Sequence, residues 1–275
     1  MSLLIELLKT DKAIVMGILN TTPDSFSDGG KFNSSDVAIN HALEMMRDGA
    51  EIIDVGGEST RPGAAAVSVE EEIERVVPVI KALRQQSNVC ISIDTSKPEV
   101  MRAAVQVGAS LVNDVNGLRE PGALQVCAEL DIPVCVMHMQ GRPRTMQEAP
   151  DYDDVVEDVK SFLQCRIKEC VAAGIKRENI IIDPGFGFGK NLRHNLQLLK
   201  HLHKFESLDA PLLVGLSRKS MLGLILGSPV DQRLHASVAA AVLAYTKGAK
   251  ILRVHDVKPT VDALKVCVAV QTLST

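Results

Sequence analysis

Short apolar runs rich in valine and isoleucine alternate along the chain with longer amphipathic segments, the pattern of βα units feeding a parallel sheet. Eight such runs stand out: about Ile14 to Leu19, Glu51 to Val55, Val89 to Ile93, Ser110 to Val112, Pro133 to Met137, Ile180 to Ile182, Leu212 to Gly215 and Lys250 to Val254. Gly49-Ala50, Gly108-Ala109 and Gly248-Ala249 each follow a helical segment and precede a strand run, and Gly174 stands similarly before the sixth. A glycine there takes the positive φ that turns a helix C-terminus sharply into a strand. That step also suits an open doubly wound sheet, but eight parallel strands argue for a closed TIM (β/α)8 barrel, an α/β fold, as one domain over residues 1–275.

Helices are expected to start at Ser35, Ser68, Pro98, Pro121 and Pro259, residues suited to the N-cap or first turn, and Ser68 with Glu71 has capping-box spacing. The connections after the first and second strands, about Asn20 to Asn33 and Gly56 to Val67, are long for this architecture and read as working loops.

Composition narrows the class. With 275 residues, 46% hydrophobic and 23% charged, the chain can bury one large core. A net charge of -4 and a pI near 6.0 supply no basic field for nucleic acid or an anionic membrane, so a small-molecule partner is expected. The opening MSLLIELLKTDK lacks the basic start and long apolar centre of an export signal, and apolar runs such as Ala236 to Thr246 fall short of the roughly 20 residues a spanning helix needs. Six cysteines are scattered without a C-x-x-C pair, which suits a reducing cytoplasm; neither they nor the seven histidines form zinc-ligand spacings.

In such a barrel the active site lies at the carboxyl ends of the strands. The residues there are Asn20, Asp54, Asp94, Asn113 with Asp114, His138, Asp183, then Ser217-Arg218-Lys219, and finally Arg253 and His255. Carboxylates and amides gather at strands three, four and six, cations at seven and eight. That division suits a ligand with a donor-rich end and an anionic end, and Arg253 with His255 could hold a phosphate by charge-assisted hydrogen bonds. Asp94 and Asp183 sit where partial desolvation strengthens bonds to an amidine-like N–C–N edge such as a pterin's, although Asp94 could instead cap a helix near Pro98 and Asp183 begin a turn. The run DPGFGFGK, Asp183 to Lys190, is neither a Walker A loop nor a dinucleotide fingerprint; its glycines read as backbone approaching a flat ring, with Phe188 stacked on that ring or buried in the core.

Eight motifs in order, MGILNTTPDSFSDGG, IIDVGGESTRPGA, ISIDTSKPEV, NDVNGL, MHMQGRPRTMQ, IIDPGFGFGK, LVGLSRKSMLG and RVHDV, closely resemble the bacterial dihydropteroate synthases from about Ile14 to Val270. The resemblance implies displacement of pyrophosphate from 6-hydroxymethyl-7,8-dihydropterin pyrophosphate by the amine of p-aminobenzoate. It implies a pterin site of Asp94, Asn113, Asp183, Lys219, Met137, Phe188 and Gly215, and a pyrophosphate site of Asn20, Arg253 and His255. Magnesium (Mg2+) is implied near Asn20, and p-aminobenzoate near Phe26, Thr60, Arg61, Pro62, Lys219 and Ser220. Asp94, Lys219, Arg253 and His255 are the implied catalytic set, sulfonamides the implied competitors, and a homodimer the implied assembly. Ala236 stands where the family usually has glycine. Two rivals share the pterin positions. A methyltetrahydrofolate-corrinoid methyltransferase would lack the TPDSFSDGG and STRPG loops and the anion site, and a noncatalytic pterin-binding paralogue would have lost one of these residues.

Overall fold

The computed structural model describes residues 3–10, 12–21, 31–59, 65–141, 146 and 150–273, with the backbone alone for 31–34. The long connections at 22–30 and 60–64 therefore lie outside the described residues. The elements run α1 (Leu3–Leu8), β1 (Ile14–Asn20), α2 (Lys31–Arg47), β2 (Ile52–Gly56), α3 (Val69–Gln86), β3 (Cys90–Asp94), α4 (Pro98–Gln106), β4 (Leu111–Asp114) and α5 (Ala123–Leu130). They continue as β5 (Val134–Met137), α6 (Val155–Ala172), β6 (Ile180–Asp183), α7 (Leu192–Lys200), β7 (Leu213–Val214), α8 (Ser220–Leu226), α9 (Leu234–Tyr245), β8 (Ile251–Val254) and α10 (Val257–Gln271).

All eight expected strands are present, parallel, in the order β6-β5-β4-β3-β2-β1-β8-β7. A parallel bridge between Ile182 and Leu212 and the bond from Ile182 N–H to the Pro211 carbonyl (3.0 Å) close β6 onto β7, completing the barrel. The four glycines before strands have φ of +103°, +121°, +100° and +97°, the conformation their role requires.

Strand periodicity then divides each strand between two cores. Outward residues such as Ile53, Val55, Ile91, Ile93, Val112 and Val136 pack under the helices. Inward residues at the amino ends, Ile14, Met16, Ile52, Cys90, Leu111, Cys135, Ile181, Leu213 and Ile251, form a separate apolar plug, and Leu4 of α1 closes it from below. Two residues further along the same strands, the same period turns Asp54, Ser92, Asn113, Met137, Asp183, Gly215 and Arg253 into the barrel mouth. The apolar floor and the polar rim are successive layers of one pattern.

Helix starts follow the sequence in part. Ser68 caps α3 by accepting from Glu71 N–H (3.1 Å), though the Glu71 carboxylate turns to Arg75; Pro98 opens α4. Ser35 lies inside α2, which begins at Lys31; α5 begins two residues after Pro121, behind Gly122; and Pro259 is the third residue of α10. Proline is tolerated throughout a first turn, whose N–H groups have no intrahelical partner, so it locates that turn without fixing its first residue.

Candidate active site at the barrel mouth

Asn20, Gly56 and Asp94 are cross-strand neighbours at the ends of β1, β2 and β3, and Asp94 pairs in register with Asn113 on β4. A Cβ on Gly56 would lie 3.8 Å from Asp94 Oδ2 and 3.9 Å from Asn20 Oδ1, so both oxygens face the gap the glycine leaves. One layer below, Arg253 reaches across the barrel from β8. Its Nε donates to Asp54 Oδ2 and its Nη2 to Asp94 Oδ2, each at 2.6 Å. Burial would lower the Arg253 pKa, but Asp54 and Asp94 outweigh it and hold the guanidinium charged. Asn113 Nδ2 donates to the same Asp54 oxygen at 3.1 Å.

The opposite wall is the glycine loop after β6. Asp183 accepts from Gly185 N–H (2.7 Å), beginning the turn considered for it, whereas Asp94 does not cap α4, whose N-cap is Lys97. Gly185 sits at φ +69°, and a Cβ there would come within 1.9 Å of the His138 carbonyl; Gly189 similarly abuts Gln140. Gly185 and Gly189 let the β6 loop close on the β5 loop. The two loops are tied by Lys190. Its buried ammonium donates to the carbonyls of Gly185 (2.8 Å) and Phe188 (2.9 Å) and lies 2.9 Å from His138 Nδ1. Burial pushes Lys190 down to about 7 and His138 down to about 2, so His138 is neutral.

Lys219, at the N-cap of α8, extends back over this wall: its Nζ stands 4.2 Å from the centre of the half-buried Phe188 ring, a cation–π contact. A Cβ on Gly187 would meet the Lys219 stem at 3.2 Å. Burial lowers Lys219 to about 8 against the pull of Asp183 and Asp94, and burial raises Asp183 against Gly185 N–H and Lys219. Burial likewise raises Asp94, to about 7, against Arg253. His255 is oriented by Ser217, whose Oγ lies 3.0 Å from Nδ1 and accepts from the His255 N–H at 3.2 Å; burial and then Arg253 push its pKa down to about 4.

The barrel mouth thus collects Asn20, Asp94, Asn113, Met137, Asp183, Gly215, Arg253 and His255 from strand ends, with Phe188 and Lys219 from the loops. Ser220 follows Lys219 as the exposed first residue of α8. Phe26, Thr60, Arg61 and Pro62 fall outside the described residues. Asp54, Lys190 and His138 had no assigned role in the sequence. The signals were present: Asp54 lies between Ile52 and Gly56 in the inward period, and Lys190 ends the glycine run.

The titrating pair gives a sign. The expectation carried by the resemblance is that Asp94 acts ionised, as an acceptor, and Lys219 acts protonated, as a cation. We expect log kcat/KM for the pterin substrate to rise with pH up to about 7 and fall above about 8, a narrow bell reporting the free protein. A profile flat from about pH 6 to 9 would remove both groups from binding.

A profile of the pterin binding enzyme family matches residues 16–255. The dihydropteroate synthase of Escherichia coli strain K12 is 58% identical over 252 residues, covering 92% of this chain and 89% of that protein. A Yersinia pestis dihydropteroate synthase in complex with a sulfonamide drug superposes with a TM-score of 0.91 at 54% identity, covering 95% of each chain. A Xanthomonas albilineans dihydropteroate synthase in complex with 7,8-dihydropteroate gives a TM-score of 0.89 at 50% identity, covering 96% of this chain and 95% of that one.

Proposed function

Because the chain belongs to the pterin binding enzyme family, among its dihydropteroate synthases, we propose that its barrel mouth seats the pterin ring against one wall and the pyrophosphate against the other. The reaction joins the methylene of 6-hydroxymethyl-7,8-dihydropterin pyrophosphate to the amine of p-aminobenzoate. The observation that carries the assignment of roles is the order of groups around the rim: the acceptors Asp94, Asn113 and Asp183 end β3, β4 and β6, the cation Arg253 and then His255 follow on and just past β8, and Lys219 turns from the β7 loop over Phe188 on the β6 side.

Asp94 and Asp183 accept from the N–H groups of the pterin edge, Asn113 supplies an amide beside them, and Lys219 covers the ring with Phe188. As the methylene carbon–oxygen bond breaks, its electron pair leaves with the pyrophosphate and the pterin methylene becomes cationic. Arg253 and His255 donate to the departing anion, while the two carboxylates stabilise the electron-poor ring. The p-aminobenzoate nitrogen then bonds to the carbon and loses a proton to the pyrophosphate or water. The Lys219–Ser220 step at the start of α8 lies at the p-aminobenzoate end, with Phe26, Thr60, Arg61 and Pro62 contributed by the long loops.

Among the described residues, no cluster of three or more His, Cys, Asp or Glu could hold a metal by itself. Asn20 Oδ1 beside the Gly56 gap nevertheless offers a hard oxygen donor of the kind magnesium takes, with the pyrophosphate oxygens as its other ligands. Bound there, magnesium would neutralise charge on the leaving pyrophosphate. A homodimer is supported by large apolar side chains exposed on the neighbouring helices α9 and α10, Leu243, Val266 and Val270, and on α8, Leu224, Ile225 and Leu226. No described helix is long and apolar enough to cross a membrane, and the free cysteines fit the proposed reducing cytoplasm.

The test is to incubate the purified protein with pterin pyrophosphate, p-aminobenzoate and magnesium. Dihydropteroate and pyrophosphate are expected in equal amounts, with turnover abolished by a chelator and restored by magnesium. Absence of dihydropteroate would refute the activity, and undiminished turnover in chelator would refute the metal. Sedimentation of the protein as a monomer at micromolar concentration would refute the dimer.

A further inference from the structure

Asp54 is wholly buried on β2, at the bottom of the barrel mouth, two residues before Gly56 and directly above the apolar plug. A carboxylate there is costly, since several kcal/mol of hydration are lost when such a group enters a barrel interior. Its compensation is unusually narrow. A single oxygen, Oδ2, accepts from both Arg253 Nε and Asn113 Nδ2, while Oδ1 has no hydrogen-bond partner, nor has Ser92 Oγ on the residue paired with it in register. A group kept only for stability would be expected to satisfy both oxygens. Both groups that Asp54 does hold face the ligand.

Arg253 is divided between two carboxylates in a telling way. Nε is held by Asp54 below the rim, while Nη2 is held by Asp94 at the rim. The Asp94 oxygen used by Arg253 is one that a pterin N–H would compete for. The Asp54 contact faces no such competition, because that carboxylate is wholly buried.

We propose that Asp54 is a positioning residue for the reaction. It pins Arg253 through Nε, so that the outer nitrogens of the guanidinium exchange Asp94 for pyrophosphate oxygens when substrate enters, and it fixes Asn113 on the pterin side through the same oxygen. One buried atom thereby keeps the anion-binding and pterin-binding halves in register. Asp54 touches neither the reacting carbon nor the leaving group. The proposal rests on the assignment of Arg253 to the pyrophosphate.

The test is a double-mutant cycle on the full-length protein with Asp54→Ala and Arg253→Ala, reading kcat and both KM values alongside thermal unfolding. In the wild-type background Asp54→Ala is expected to lower kcat about tenfold or more, with the p-aminobenzoate KM within about twofold. In the Arg253→Ala background the same substitution should lower kcat less than about threefold, because the guanidinium it positions is missing and only its hold on Asn113, read mainly in the pterin KM, is left. Asp54→Asn keeps an acceptor oxygen and should recover part of the loss. It also carries the same cycle should Asp54→Ala not fold, with an expected wild-type-background loss of about threefold to tenfold. Equal losses in both backgrounds, or wild-type kcat in the Asp54 variants, would overturn the proposal. Wild-type kcat in Arg253→Ala alone would instead overturn the assignment of Arg253 on which it rests.

Discussion

Replacing Arg253 by alanine is expected to lower kcat/KM for pterin pyrophosphate by about 10²- to 10³-fold, the range seen when a preorganised donor to a developing anion is removed. Two effects act together. The departing pyrophosphate loses its charged donor, and Asp54 and Asp94 lose the cation that joins them at 2.6 Å on each side. Without that cation Asp94, already raised by burial, rises further and spends more time protonated, where it is a poorer acceptor for the pterin edge. The fold also suffers, because removing one member of a buried ionic group costs about 3–5 kcal/mol. A lower melting temperature with a folded circular dichroism spectrum should therefore accompany the kinetic loss. Turnover near the wild-type rate would mean that Arg253 only holds the barrel together.

Asp183→Asn should act on the other wall. The asparagine can still accept from Gly185 N–H through its amide oxygen, so the turn after β6 survives and melting should move by only a few degrees. Toward the ligand, however, an anionic acceptor becomes an amide that presents donors to a donor-rich edge. Hydrogen bonds to charged groups contribute about 1.5–3 kcal/mol, so the KM for pterin pyrophosphate should rise by roughly 10- to 100-fold, with the p-aminobenzoate KM nearly unchanged. Comparable rises in both KM values would show that Asp183 shapes the whole mouth and not the pterin wall.

Much of this architecture was legible because two periodicities run through the sequence together. The eight apolar runs and the helix–glycine–strand steps at Gly49, Gly108, Gly174 and Gly248 carry the local signal that each βα unit needs. Only the number of strands signals closure of the barrel in the sequence, since the joint itself is the two-residue β7 and an isolated bridge at Leu212, too short to leave a pattern. The polar rim was visible as the residues after each run. Asp54 is one of several polar strand ends in the sequence, and only the step of two through Ile52, Asp54 and Gly56 places it inside the barrel. Lys190 and the glycines of its loop are legible only in three dimensions, because the atom that forbids a side chain at Gly185 is the carbonyl of His138, forty-seven residues earlier in the chain.

The resemblance to dihydropteroate synthases points to the chemistry proposed for the rim, and the structure adds how its groups are tied. Asn20, Asp94 and Asn113 are joined by strand register, Arg253 by two carboxylates, Phe188 by the bond from Lys190 to its carbonyl, and Lys219 by its contact with the Phe188 ring. Each ligand-facing group is thereby held by a neighbour lower in the barrel or on the adjoining loop, the arrangement that a dissociative step needs if its donors are to be in place before charge develops.

The division of the mouth into a pterin wall and a pyrophosphate wall is tested most directly by calorimetric titration of the wild type, Asp183→Asn and Arg253→Ala with two partial ligands, inorganic pyrophosphate and 6-hydroxymethylpterin. A crossed result is predicted: Asp183→Asn weakens the pterin about tenfold or more and leaves pyrophosphate within about twofold, whereas Arg253→Ala weakens pyrophosphate about tenfold or more and the pterin by a smaller factor, through Asp94 alone. Equal weakening of both ligands by both variants would contradict it.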